Sequence, residues 1–188
     1  MFETDALHKR GKALEDEFFH RVDEELRAKI RQQVQRETTR ETLAALTGFT
    51  DDDLLDHLVE ANFEASTIAA LALVPLVWVA WADGKVTPKE RQAVIHASLK
   101  RGLENQPTAL HLVEEWMAKR PPDSLWDLWV EYARAIDDSL SPATAKMLST
   151  VILNQATAVA TAAGTRLGRN KISEPERKIL DEIAACIG

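Results

Sequence analysis

Seven glycines and seven prolines are all that this chain of 188 residues carries, and they stand almost wholly where helices should start or stop. The stretches between them are long and unbroken, so the reading is an all-helical fold. From about Thr4 to Arg36 there is no proline and only Gly11, while Leu14, Phe18, Val22, Leu26, Ile30 and Val34 recur every four residues. That period exceeds the 3.6 residues of a helical turn, so the apolar seam is narrow and drifts around the helix. A long, charged helical arm follows, one that packs on the body, pairs with another chain or folds with a partner. A short second helix over 39–46 should end at Gly48, which suits a left-handed cap. Further helices are expected over about 51–62, 67–82, 88–101, 107–119, 124–137 and 147–165. The domain reading is an arm over 1–50 and a helical bundle over 51–188.

Composition narrows the function classes. At 45% hydrophobic and 28% charged residues, the chain is neither low-complexity nor wholly disordered. Lys plus Arg number 23 against 30 Asp plus Glu, a formal charge of -7, so a general electrostatic hold on nucleic acid is not expected. The single Cys186 cannot form an internal disulfide, and the start Met1-Phe2-Glu3-Thr4-Asp5 lacks the basic and apolar regions of a signal peptide. The expected location is the cytoplasm. Ala65 to Ala82 is an uncharged run at the lower length limit for a membrane span, but its alanines, Ser66, Thr67 and Pro75 suit a buried central helix better. Membrane association, without a span, stays open as an alternative.

Two of the expected helices, 67–82 and 147–165, are alanine-rich and uncharged and should form the centre. Leu125, Trp126, Leu128, Trp129, Tyr132 and Ile136 give the helix over 124–137 an aromatic face, read as a buried stripe; left exposed it would be a partner groove.

The most informative motif occurs twice. Asp83-Gly84-Lys85-Val86-Thr87-Pro88-Lys89-Glu90-Arg91 aligns without gaps to Arg169-Asn170-Lys171-Ile172-Ser173-Glu174-Pro175-Glu176-Arg177. Thr87 and Ser173 are N-cap candidates, and Glu90 and Glu176 stand three residues later, so each pair can close a capping box. Val86 and Ile172 precede the caps as apolar staples. Asp83-Gly84, Val86 and Glu90 also match the second half of a calcium loop, but the first half would need ligands at Val79 and Trp81, so an EF-hand is rejected.

The run from Val79 to Arg91, an alanine-rich helix, an Asp-Gly turn and a capped helix with Glu, resembles the signature of the TerB-like family, known from tellurite resistance. The resemblance covers about residues 65–188 and leaves the arm outside. It implies a pseudo-duplicated helical bundle, a non-enzymatic stress-related binding domain, and acidic residues that hold a divalent cation (Ca, Mg, Mn or Zn) in some members. Only Asp83 and Glu90 match the family's acidic positions.

Other chemistry is sparse. No glycine-rich phosphate loop, nucleophile elbow, HExxH helix or CxxC pair occurs. The stretch 51–64 holds Asp51, Asp52, Asp53, Asp56, Glu60 and Glu64 with no Lys or Arg; it reads as a capped, solvated face. The enzyme alternative builds a metal or acid-base site there from Asp53, His57 and Glu60. His111 with Glu114 and Glu115 reads as a surface histidine near acids, and His96 as a partly buried helix residue. Arg166, Arg169, Lys171, Arg177 and Lys178 form the one basic cluster, without the interleaved aromatics of a single-strand binder. The expected partner is therefore another protein, with a homodimer through the arm as one form of it.

Overall fold

The computed structural model describes residues 3–163 and 172–187, apart from the side chains of residues 3–19. Among the described residues the chain is all helical and has no strand: α1 (Glu3–Thr47), α2 (Asp52–Glu60), α3 (Val74–Ala80), α4 (Pro88–Lys100), α5 (Pro107–Ala118), α6 (Ser124–Ser139), α7 (Pro142–Ala163) and α8 (Glu174–Ile187). A 3-10 helix, Ile68–Leu73, precedes α3, and a second, Leu103–Asn105, links α4 to α5.

The chain divides into two units, Met1–Glu41 and Thr42–Gly188. The boundary falls earlier than residue 50 because Leu43 is fully buried in the core of the second unit. Among its described residues the first unit is helix alone. The two helices expected over 4–36 and 39–46 are one, since nothing between Arg36 and Thr39 breaks a helix. The Thr38 hydroxyl donates to the Val34 carbonyl at 2.9 Å, within the helix rather than away from it. α1 ends as expected at Gly48, whose N–H bonds to the Ala44 carbonyl at 2.8 Å with φ of 75°.

In the second unit α3 and α7 pack together at the centre, and α4 lies against both. α8 packs on α3, α6 and α7, and α2 packs on α6. Every residue of α3 is buried. The uncharged run expected as one helix over 67–82 is split, and Pro75 is the cause. With no N–H, Pro75 cannot donate to the Leu71 carbonyl, which takes the Val74 N–H instead, one residue short of the α-helical spacing. No helix among the described residues is long and apolar enough to cross a membrane.

The aromatic face of α6 is interior: Leu125, Leu128 and Trp129 are buried, and Trp126 stacks on Trp78 with ring centroids 5.6 Å apart. α7 starts at Pro142, earlier than the alanine-rich stretch, because Ser141 caps it by accepting the Thr144 N–H at 3.3 Å.

Candidate functional site

The Asp-Gly turn sits between α3 and α4. Gly84 has φ of 86°, a left-handed conformation that lets the chain turn within four residues of the end of α3. Asp83 is exposed, and its Oδ1 accepts the Lys85 N–H at 3.1 Å. Glu90 is 3% exposed: its Oε2 accepts the Thr87 N–H at 2.6 Å, and its own N–H donates to the Thr87 hydroxyl at 3.3 Å. That is a closed capping box.

The second copy of the motif closes in the same way. The Ser173 N–H donates to Glu176 Oε2 at 2.6 Å, and the Glu176 N–H reaches the Ser173 hydroxyl at 3.4 Å. Val86 and Ile172 pack against the core beside their caps. Arg169, Asn170 and Lys171, the first part of this copy, lie outside the described residues, as does Arg166 of the basic cluster. Arg177 and Lys178 are exposed, and Lys178 pairs with Glu182 at 3.8 Å.

The two helix starts are electrostatic neighbours. Burial pushes the Glu90 carboxyl above its ordinary value against the pull of its two Thr87 hydrogen bonds, and the negative charges of Asp83 and Glu176 push it further. A cation would relieve that repulsion. The donor geometry for one is not assembled: among the described residues no group of three or more His, Cys, Asp or Glu side chains is placed to hold a metal. Asp83 and Glu90 each already use an oxygen on a backbone N–H.

The acid-base candidates are arranged differently from the sequence expectation. His57 does not pair with Glu60 on its own helix. Its Nδ1 meets Glu131 Oε2 of α6 at 2.7 Å, on the rim of a cleft of about 650 Å³ lined also by Asn62, Trp116 and Asp127. The Glu131 hydrogen bond and charge raise the His57 pKa, with Glu60 and Asp53 adding lesser contributions. An imidazole held by a carboxylate is one half of an acid-base arrangement. No described Ser, Thr or Cys side chain hydrogen-bonds it.

His111 lies 3.8 Å from Glu114 and 3.4 Å from Glu115 on an exposed face of α5. His96 is exposed rather than partly buried, because α4 buries Val94, Ala97 and Ser98 and turns position 96 outward.

Sequence reasoning missed Glu131, which lies 74 residues from His57 with no local signal to join them. It also missed the nearness of Glu90 and Glu176, for which the repeat was the available clue. The chain matches no family model, no curated protein and no solved structure.

Proposed function

We propose that this chain is a non-enzymatic, stress-related helical binding and scaffold domain of the TerB-like kind, working through protein contact made by its arm. The observation that carries this reading is the bare seam of α1: Val22, Leu26, Ile30 and Val34 are 42%, 55%, 53% and 60% exposed. Large aliphatic side chains in a row on one helix stay in water only at a cost of roughly 1 kcal/mol or more each, and a partner helix removes that cost. The two closed capping boxes support the family resemblance, since both copies of its motif act alike.

A second copy of the chain is the partner that the charges favour. Laid antiparallel about Leu26, two arms set Val22 opposite Ile30, Asp23 opposite Lys29 and Glu25 opposite Arg27. Within 20–32 only Arg21 and Arg31 oppose like to like. The pairing is short, because a seam with a four-residue period drifts off a straight partner within a few turns.

Sedimentation of the full chain is the test. The expected result is a dimer at micromolar concentration that Leu26→Asp with Ile30→Asp converts to a monomer of unchanged melting temperature. A parent that is monomeric, or a dimer that the double variant leaves intact, overturns the self-association reading.

On this reading a divalent cation, Ca²⁺, Mg²⁺, Mn²⁺ or Zn²⁺, would be held by Asp83 and Glu90, with Glu176 adding charge. Its support is the repulsion that Asp83 and Glu176 exert on Glu90. Calorimetric titration into chelator-treated protein, beside the Asp83→Ala, Glu90→Ala double variant, decides it; heats that the double variant retains would sink it.

A further inference from the structure

Arg101 ends α4 at a point where the chain must turn, and its side chain runs inward beneath the 3-10 helix Ile68–Leu73. The guanidinium Nη1 donates to the Ala72 carbonyl at 2.8 Å, and Nε donates to Gln155 Oε1 of α7 at 2.9 Å. Nη2 donates to the same Gln155 oxygen. These three bonds use neutral acceptors only, and among the described residues no carboxylate pairs with this cation. Burial lowers the Arg101 pKa, and Tyr132 nearby works in the other direction. A partly buried charge left without a counter-ion is an expensive arrangement.

Arg101 also lines a cavity of about 120 Å³ between α6, α7 and the end of α8. Its walls are mostly apolar: Tyr132, Ile136, Leu148, Ile152 and Ile187, with Ala145 at one side. The polar groups in its lining besides Arg101 are Trp129, Tyr132, Ser149 and the exposed Asp137. The Ser149 hydroxyl is occupied by the Ala145 and Ile187 carbonyls. Tyr132 is fixed by an edge-on contact with Phe49, ring centroids 5.7 Å apart, and among the described residues nothing hydrogen-bonds its hydroxyl. An apolar space of this size is close to the roughly 150 Å³ that holds a benzene molecule. The lining therefore combines an arginine that keeps two N–H groups outside these bonds, a phenol and aliphatic walls.

We propose that this cavity binds a small organic carboxylate with a short apolar tail, its carboxylate on Arg101 and Tyr132 and its tail among Ile136, Leu148 and Ile152. Arginine suits the role because its planar fork matches a carboxylate. A ligand of so few atoms binds in the range of about 1 mM.

The experiment is saturation-transfer NMR on the full chain with pentanoate, and with 1-pentanol as the uncharged control of equal length. Pentanoate is expected to bind at least about tenfold more tightly than the alcohol. Arg101→Gln should remove that preference, and Ala145→Leu, which fills the cavity and leaves Arg101 in place, should weaken both probes. Equal affinity of acid and alcohol for the parent protein, no binding of pentanoate, or full pentanoate binding by Ala145→Leu each overturns the proposal. Should Arg101→Gln fail to fold, the acid-alcohol comparison on the parent and on Ala145→Leu still decides it.

Discussion

Glu90 is the residue on which the most forces meet. Its carboxylate is buried, bonded to the Thr87 N–H and repelled by Asp83 and Glu176. Because its folded pKa is raised, the native state holds the proton longer than the unfolded chain. Its contribution to stability therefore falls as pH rises from the ordinary carboxylate value through the raised one. Glutamine serves the capping box equally well but carries no charge. Glu90→Gln should thus melt with the parent near pH 4 and above it at pH 7, whereas Glu90→Ala should lose about 1 kcal/mol near pH 4 and less at pH 7, where it also escapes the charge. Thermal melts of the two variants at the two pH values check this.

His57 runs in the same direction with pH, through a favourable charge lost instead of a repelled charge gained. A raised histidine pKa adds stability that is complete below the ordinary histidine value and is lost as pH rises through the folded one. The pair is half exposed, so Glu131→Gln should cost only about 0.5 kcal/mol at pH 5.5 and nothing at pH 9, as read by urea unfolding. That pair was invisible in the sequence, where His57 had acids only on its own helix to choose from. Asp83, Gly84, Thr87 and Glu90, by contrast, were legible, because a cap and its box act over three residues and need no tertiary information.

Among the elements, helix ends with a local chemical cause were read well. Gly48, Thr87, Pro107 and Ser173 stand where α1, α4, α5 and α8 begin or end. Two readings failed for physical reasons that are equally local but were weighted wrongly. Glu37 and Thr38 were taken as a gap, although neither breaks a helix, and Pro75 was weighed against a membrane span but not as a break in the alanine-rich run that it interrupts. The order of packing around α3 and α7 was readable only as a tendency of small residues to sit centrally. Which helices cover them depends on contacts far apart in sequence.

The continuity of α1 has its own consequence. Gln32 is exposed and lies in the first unit. Proline there costs about 3 kcal/mol of local helix stability. Gln32→Pro should lower far-UV helicity while the near-UV signal of the tryptophans, all of which lie in the second unit, stays as in the parent.

At the scale of the whole molecule the two units differ in what holds them. The core residues from Leu43 to Ile187 all belong to the second unit, while the described part of the first carries exposed helix-face pairs such as Asp23 with Arg27 at 2.9 Å. Such exposed pairs add a few tenths of a kcal/mol each, too little to hold a long helix against fraying. Hydrogen exchange should find the amides of 20–41 exchanging orders of magnitude faster than those of 74–80 in protein kept dilute enough to be monomeric. Protection in the arm that grows with protein concentration would be the same self-association seen by sedimentation.

The closed box at Thr87 and Glu90 has one more implication. A cation that engaged both oxygens of the Glu90 carboxylate would take Oε2, the one that fastens the first turn of α4. Ligand capture and helix opening at this point are reciprocal: whatever takes that oxygen must loosen the turn, and whatever frays the turn must raise affinity for the ligand by the same factor. A bound ion would in that way be reported to α3 and α7, the two helices that α4 touches in the middle of the bundle.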